Sequence, residues 1–157
     1  MKGDFKINNM TPEDIEEVYR IETESFSNPW PRGAFESDVR NRRIYSPVVR
    51  DENNCVVAYA LLMIFAEEAH LANIAVDPKL RRHGIGTLLM DHLIETAESR
   101  DCRAMFLDVR PSNKSAVSMY EEKYDFEILY RRKGYYSNPP EDALVMVRPL
   151  GERENYG

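Results

Sequence analysis

The chain has 157 residues, of which 43% are hydrophobic, and this suits one domain with one core over residues 1–157, with a loose tail at 151–157. Its formal net charge of −6 at pH 7 argues against nucleic acid as a partner, because nonspecific binding needs clustered Lys and Arg to neutralise phosphates. No apolar run approaches the roughly 20 residues of a membrane span, and the N-terminus lacks the hydrophobic stretch of a signal peptide. We therefore expect a cytoplasmic protein that binds neither nucleic acid nor membrane.

The two cysteines, Cys55 and Cys102, are typical of a reducing compartment. No cluster of Cys and His has the spacing of metal ligands, so the sequence predicts no metal site. Basic residues group at 40–43, 81–83 and 131–133, and the first and third groups are typical of solvated surface. Only the second group coincides with glycines, which makes it a candidate functional segment.

The first half of the chain predicts two helices and several strands. Thr11 is the expected N-cap of the first helix, with Pro12 at the first helical position. The predicted elements of this half, in chain order, are a strand at 5–7, a helix from 12, a second helix that follows the proline break at 28–31 and ends near 43, and strands at 45–50, 55–65 and 70–76.

The second half alternates helices and strands. A helix over 84–100 separates the strand at 70–76 from one at 104–109, and such a crossover makes the two strands parallel. Ser112 is the expected cap of a further helix through about 124. A hairpin of strands 126–135 and 143–148 closes the chain. The pattern predicts a mixed α/β sheet.

The segment 74–87 is the most informative one, because a short apolar strand stops at a proline and restarts as a helix opened by glycines. The first turn of a helix has N–H groups without intrahelical partners, and an anion fits there. The alternative is an ordinary strand-to-helix turn. The Walker and dinucleotide fingerprints do not match, since Leu89 stands where the latter needs a small residue. The candidate phosphate-binding residues are Arg81, Arg82, His83, Gly84, Ile85, Gly86 and Thr87.

The Arg-x-x-Gly-x-Gly pattern at 81–86, with the strand before it, resembles the acyl-CoA pyrophosphate loop of the GNAT (GCN5-related N-acetyltransferase) superfamily. The run Leu-Asp-Val-Arg-Pro-Ser-Asn at 107–113 and the hairpin motif Gly-Tyr-Tyr at 134–136 narrow the resemblance. They are similar to protein N-terminal acetyltransferases, both the archaeal Ard1 type and the bacterial type that acetylates a ribosomal-protein alanine. The resemblance implies a mixed, mostly antiparallel sheet with a parallel strand pair that splays at the acetyl-CoA site.

The resemblance also implies how acetyl-CoA, the cosubstrate, is bound. The pyrophosphate lies on the loop at 81–87, and Asn113 contacts the cofactor. Tyr120, on the same side, protonates the departing thiolate. Seven residues make two helical turns, so Asn113 and Tyr120 are expected to face the same way. Backbone N–H groups of the preceding strand hold the thioester carbonyl, at Ile74, Ala75 and Val76.

The implied reaction is direct attack of a protein or nascent-chain α-amine, including that of a ribosomal protein, on the thioester. An α-amine has a pKa of about 7.7 to 8.0 whereas lysine is near 10.4, so a weak base suffices. In the bacterial relatives a glutamate acts as the base, and Asp108 stands at the matching position. His70 matches a histidine of the Ard1 type. Both residues remain candidates for the base. Asp108 alternates with Leu107 and Val109, so its side chain is expected to face away from theirs.

The peptide side of the site is assigned to three further residues. Tyr135 and Tyr136 match a lid that orients the peptide backbone and excludes lysine side chains, although both could be ordinary strand aromatics. Glu22, near the end of the first helix, is a candidate for the amine-binding end of the cleft. Asn28 stands where eukaryotic relatives have a glutamate, so a preference for acidic N-termini is not expected.

Two alternative functions would use the same phosphate-binding loop at 81–87. One is acetylation of lysine or a small amine, and the other is a noncatalytic acyl-CoA-binding interaction module. Turnover with free N-terminal peptides favours the Nα-acetyltransferase, turnover with lysine peptides favours the first alternative, and no turnover favours the second.

Overall fold

The computed structural model describes residues 4–151, so most of the predicted tail lies outside the described residues. The chain forms two compact units, here called the first unit (Met1–Met63 and Ala72–Glu95) and the second unit (Ile64–Leu71 and Thr96–Gly157). One strand, β5 (Glu68–Val76), contributes its beginning to the second unit and its end to the first. The extent of one acetyltransferase domain over residues 1–157 stays a prediction.

The first unit begins with an antiparallel set of strands and two helices. Its strands follow the order β1-β3-β4-β5, and β2 pairs with β4. Its elements are β1 (Lys6–Asn9), α1 (Ile15–Ser25), α2 (Arg32–Asp38), β2 (Ile44–Tyr45), β3 (Pro47–Arg50), β4 (Val56–Phe65), the end of β5, and most of α3 (Ile85–Ser99).

The start of α1 follows from its capping residues. Asp14 ends a 3₁₀ turn and accepts a hydrogen bond from the Thr11 N–H at 2.8 Å and two from the Arg50 guanidinium at 2.9 and 2.8 Å. Burial alone would raise the pKa of Asp14, but the bonds from Arg50 and Thr11 outweigh it, so the pKa is lowered. The apolar face of α1 then packs into the core of the first unit, where the rings of Phe35 and Tyr59 meet edge to face with centroids 5.8 Å apart.

The second unit follows the strand order β5-β6-β8-β7. The parallel pairing of β5 and β6 runs from Glu68 opposite Ala104 to Leu71 opposite Leu107. The β6–β8 and β7–β8 pairs are antiparallel, so the sheet is mixed, as predicted. Besides the beginning of β5, the elements of this unit are β6 (Ala104–Val109), α4 (Lys114–Ser118), a π-helical segment (Met119–Lys123), β7 (Glu127–Tyr136) and β8 (Glu141–Pro149).

The helix after β6 differs from the prediction in two ways. Its N-cap is Asn113, whose Oδ1 accepts the Ala116 N–H at 3.4 Å, rather than Ser112. The helix also widens into the π-helical segment, and beyond its end the Phe126 N–H donates to the Tyr120 carbonyl oxygen at 2.9 Å. Because a π turn holds more residues than an α turn, the two-turn argument does not fix the direction of Tyr120 relative to Asn113.

The sequence also led to expectations about membrane spans, metal sites and cysteines. Within residues 4–151, no helix has both the length and the apolar character needed to cross a membrane. The same residues contain no group of three or more His, Cys, Asp and Glu side chains that could hold a metal ion. Cys55 is exposed, and Cys102 is buried with a raised pKa caused mainly by that burial. Both thiols are free.

Candidate active site

The segment between β5 and α3 is held in place by a buried aspartate of the first unit. Asp77, 7% exposed, accepts hydrogen bonds from the Arg20 guanidinium at 2.9 Å and from the Lys79 N–H at 3.1 Å. Burial alone would raise the pKa of Asp77, but these two bonds outweigh it and the pKa is lowered. The Asp77 N–H donates to the Val57 carbonyl oxygen at 2.8 Å. The chain therefore leaves β5 in a fixed direction.

The start of α3 has the geometry expected of an anion cradle. Gly84 has a φ of +82°, in the left-handed region that favours glycine, and its carbonyl oxygen accepts the first helical bond, from the Leu88 N–H at 3.0 Å. A Cβ added at Gly84 would meet no atom within 4 Å, so backbone conformation rather than space requires glycine there. The N–H groups of Ile85 and Gly86 lie in the first turn of α3, where the N–H groups of a helix point out of its N-terminus.

Three exposed basic side chains border this turn. Arg81 donates to the Val76 carbonyl oxygen at 3.3 Å and to Ser25 Oγ at 3.2 Å. Nδ1 of His83 lies 3.0 Å from the carbonyl oxygens of both Leu80 and Arg81, which suits a tautomer with hydrogen on Nδ1. Arg82 is exposed and has a φ of +70°. Backbone donors, a helix N-terminus and three basic side chains fit the diphosphate of acetyl-CoA.

The end of the strand before the cradle alternates between its two faces. Ala75 is buried, whereas Ile74 and Val76 are half-buried on the opposite face of β5. A Cβ on Gly86 would make only an ordinary contact with Val76, at 3.8 Å from its Cγ2. The assignment of these residues to acetyl-CoA stays a prediction.

Glu22 lies in a buried hydrogen-bond network of the first unit. It is 1% exposed, and its Oε1 accepts bonds from the Tyr59 hydroxyl and from Asn73 Nδ2, the latter at 2.8 Å. Its Oε2 accepts the Trp30 N–H at 2.8 Å. Burial first, and then the charge and hydrogen bond of Glu22, raise the pKa of Tyr59. Glu22 therefore ties α1 to β4, to β5 and to the segment before α2. An amine-binding role for it stays a prediction.

The two candidate bases, His70 and Asp108, contact each other in the second unit. Nε2 of His70 lies 3.2 Å from Oδ2 of Asp108. Asp108 alternates with the buried residues Leu107 and Val109, so it faces away from them as expected. Its side chain is 12% exposed, against 43% for His70. Oδ1 of Asp108 is buried and has no hydrogen-bond partner among the described residues.

The double tyrosine of the hairpin lies near this pair. The rings of Tyr135 and Tyr136 meet edge to face with centroids 5.0 Å apart. Tyr135 is 47% exposed, whereas Tyr136 is half-buried. Burial first, and then the charge of Asp108, raise the pKa of Tyr136 to about 12. Tyr136 is therefore within electrostatic range of the predicted base. The lid role of both tyrosines stays a prediction.

The remaining predicted residues lie on the helix after β6. Asn113 is exposed and caps α4. Tyr120 is 7% exposed, and its ring lies 5.7 Å from that of Phe126, centroid to centroid. Burial raises the pKa of Tyr120 to about 12. The hydroxyl therefore keeps its proton at neutral pH and is available as a proton donor.

Sequence reasoning did not assign roles to several residues that hold the predicted site. Tyr59 and Asn73 fix Glu22 in the first unit. Arg110 and Glu141 form an ion pair at 3.2 Å in the second. Arg110 directly follows β6 and is two residues after Asp108, and this spacing was the available signal.

Known proteins resemble this chain over most of its length. The model of the acetyltransferase (GNAT) family matches residues 15–126. The ribosomal protein bS18-alanine N-acetyltransferase of Escherichia coli K12 is 34% identical over 146 residues, 92% of this chain and 97% of that protein. The enzyme of the same name from Haemophilus influenzae is 34% identical over 137 residues, 85% of this chain and 91% of that protein.

Solved structures give the same result. The crystal structure of the ribosomal-protein-S18-alanine N-acetyltransferase from Escherichia coli is similar with a TM-score of 0.86 and 32% identity, covering 96% of this chain and 98% of that one. Ard1 from Thermoplasma volcanium is similar with a TM-score of 0.86 and 28% identity, covering 94% and 99%. These findings confirm the predicted α/β fold, acetyl-CoA as acetyl donor and the class of protein N-terminal acetyltransferase. The chain belongs to the acetyltransferase (GNAT) family.

Proposed function

We propose that this N-terminal acetyltransferase modifies the N-terminal alanine of ribosomal protein bS18, in the cytoplasm, where ribosomal proteins are made. The support from relatives is that two bacterial proteins with this activity in their names align with most of the chain at 34% identity. The structural observation that carries the chemistry is the 3.2 Å contact between His70 and Asp108.

In this proposal His70 and Asp108 accept the proton of the amine as one pair. If the Nε2–H of His70 donates to Oδ2 of Asp108, Nδ1 of the same ring is left as a proton acceptor. About a tenth or more of an α-amine is already neutral at pH 7, so the pair removes a proton only weakly held. The pKa of a lysine amine is more than two units higher than that of an α-amine, so its deprotonation needs a stronger base.

The second proton transfer of the reaction, to the leaving thiolate, involves Tyr120. Its hydroxyl, whose pKa burial raises to about 12, returns a proton to the leaving thiolate. The cradle at Arg81 to Thr87 binds the diphosphate of acetyl-CoA, and the acetyl thioester supplies the electrophile. Asn113 contacts the same cosubstrate. Tyr135 and Tyr136 orient the peptide backbone and exclude longer amine side chains.

The test uses purified, unacetylated bS18 and short peptides. We expect bS18 to gain the mass of one acetyl group on its first residue when enzyme and acetyl-CoA are present. Thiol release should be fastest for a peptide that begins with alanine, in a panel that also includes Ser, Met and Glu N-termini. N-blocked peptides that contain lysine are the control. Faster turnover of the lysine peptides, or no modification of bS18, would contradict the proposal.

A further inference from the structure

The turn between β7 and β8 is tied to the end of β6 by one arginine. Nη1 of Arg110 donates to the Pro139 carbonyl oxygen at 2.9 Å and to Oε1 of Glu141 at 3.2 Å. Nη2 of the same side chain donates to the Ser137 carbonyl oxygen at 3.1 Å. One guanidinium therefore contacts two residues of the turn and the first residue of β8.

Glu141 completes this connection. Its Oε2 accepts the Ser112 N–H at 2.7 Å, and its Oε1 accepts the Ser112 hydroxyl at 2.9 Å as well as the bond from Arg110. Both side chains of the ion pair are about one-fifth exposed, at 22% for Arg110 and 20% for Glu141. A partly buried, charge-assisted network of this kind holds its members more firmly than an exposed ion pair does.

Arg110 also sets the position of one lid tyrosine. Its guanidinium carbon lies 4.4 Å from the ring centroid of Tyr136. The neighbouring Tyr135 instead lies under Arg132, at 5.0 Å, and is 47% exposed. A cation over an aromatic face at this distance is attractive. The half-buried tyrosine is thus fixed by the same guanidinium that fixes the turn.

The contacts of Arg110 argue against a direct role in binding an acidic substrate. Two backbone carbonyls, one carboxylate and one aromatic face already engage its guanidinium. Lysine could not replace it, because an ammonium group has no planar fork with which to reach the separate acceptors and stack on the ring.

We propose that Arg110 is a positioning residue that holds the peptide lid in its binding conformation before the peptide binds. It holds Tyr136 and the turn at 137–141 in the conformation that selects free N-termini over lysine side chains. This inference rests on the proposed function, in which the two tyrosines orient the peptide. Preformed binding surfaces bind more tightly because less ordering is needed on binding.

The first test needs no activity. Amide hydrogen exchange of Ser112, Ser137 and Glu141 is compared in the wild type and in Arg110→Met. We expect exchange to rise about tenfold, because the turn opens more often once the hydrogen bonds from the Arg110 guanidinium to its oxygen atoms are lost. Arg131→Met is the matched control, because Arg131 lies on the same hairpin and pairs with Asp142 at 3.2 Å, but is 52% exposed. Equal exchange in wild type and Arg110→Met would overturn the proposal.

The second test separates peptide binding from cosubstrate binding. In Arg110→Met we expect the KM for an alanine peptide to rise about tenfold. The KM for acetyl-CoA should stay within about twofold. The preference for free N-termini over lysine peptides should fall, and Arg110→Lys should give an intermediate loss. Unchanged selectivity, or an equal rise in both KM values, would contradict the positioning role.

The two tests also distinguish the positioning role of Arg110 from the proposed function on which it rests. A wild-type enzyme that ignores free N-termini contradicts the proposed function, while hydrogen exchange still decides whether Arg110 holds the turn. Thermal melting identifies any variant that fails to fold. If Arg110→Met does not fold, Arg110→Lys undergoes both measurements in its place, with the same expected direction and Arg131→Lys as control.

Discussion

Two carboxylates, Glu22 in the first unit and Asp108 in the second, have opposite environments. Glu22 is 1% exposed and accepts hydrogen bonds from Tyr59, Asn73 and Trp30. Asp108 is 12% exposed and meets only His70, through one oxygen, while its Oδ1 has no partner among residues 4–151. A fully satisfied carboxylate stabilises a fold, whereas an incompletely satisfied one retains capacity for chemistry. We therefore expect substitution of Asp108 to affect activity and substitution of Glu22 to affect stability.

The largest effect is expected from Asp108→Asn. The substitution preserves the shape of the side chain but removes its charge, so kcat with an alanine peptide should fall at least roughly 10²-fold. The midpoint of thermal unfolding should change little. Thiol release and a melting curve measure the two quantities. An Asp108→Asn variant with a much lower melting temperature but a normal kcat would show that Asp108 stabilises the fold rather than supporting catalysis.

Tyr120→Phe is expected to lower kcat by roughly 10²-fold as well, because it removes the proton donor for the leaving thiolate. The wild-type pKa of Tyr120 is raised to about 12, so its ionisation should cause no loss of kcat from about pH 8 to about pH 10. A pH profile of kcat checks this. An alkaline fall with a midpoint near the ordinary tyrosine value, absent in the Phe variant, would contradict the raised pKa, and an unchanged kcat in Tyr120→Phe would contradict the role as proton donor.

Glu22→Gln tests the other carboxylate. A glutamine amide would present a donor where three protein donors now converge, so we expect unfolding to become easier by about 2 kcal/mol. Chemical denaturation measures this loss. Glu24→Gln is the control, because Glu24 lies on the same helix but is 43% exposed in its ion pair with Arg20. Equal stability of the two variants would show that burial of Glu22 carries no special weight.

Gly84→Val tests the cradle of the first unit. Valine at a φ of +82° is strained, so the start of α3 should shift and the KM for acetyl-CoA should rise about tenfold. Gly33→Val is the matched control, since a Cβ there also meets no atom within 4 Å and its φ is not positive. Unchanged affinity for acetyl-CoA in Gly84→Val would remove the cradle assignment.

The smallest effect is expected from lowering the pH below about 4. The folded pKa values of Asp14 and Asp77 are lowered, so the stability these groups contribute is present above the ordinary aspartate pKa of about 3.9. That stability is lost as pH falls from there through the folded pKa values. Melting temperatures across this window should decrease, and less steeply in Asp77→Asn. An identical slope in that variant would exclude Asp77 as a contributor.

Local patterns predicted much of the fold. The strand expected at 104–109 is observed as β6, Ala104–Val109, because apolar and polar residues alternate there. The helix expected from Gly84 begins at Ile85, because the glycine suits its left-handed conformation. The π-helical segment Met119–Lys123 was not predicted, since its apolar spacing is the same as in an ordinary helix.

The site was predicted as a set of residues but not as a set of contacts. His70 and Asp108 were alternatives in the sequence, and they became a pair because β5 and β6 are parallel with His70 opposite Phe106. Such a register depends on the whole sheet, so no local pattern contains it. The contacts of Arg110 with the turn are equally nonlocal.

The most direct test of this account is a double-mutant cycle on the proposed base. Values of kcat/KM with an alanine peptide are measured for wild type, His70→Ala, Asp108→Asn and the double variant. If the two residues act as one proton acceptor, the double variant should lose little more than the more impaired single variant. If the kcat/KM losses of the two single variants multiply in the double variant, or if either single variant keeps near-normal activity, the two residues do not act as a pair.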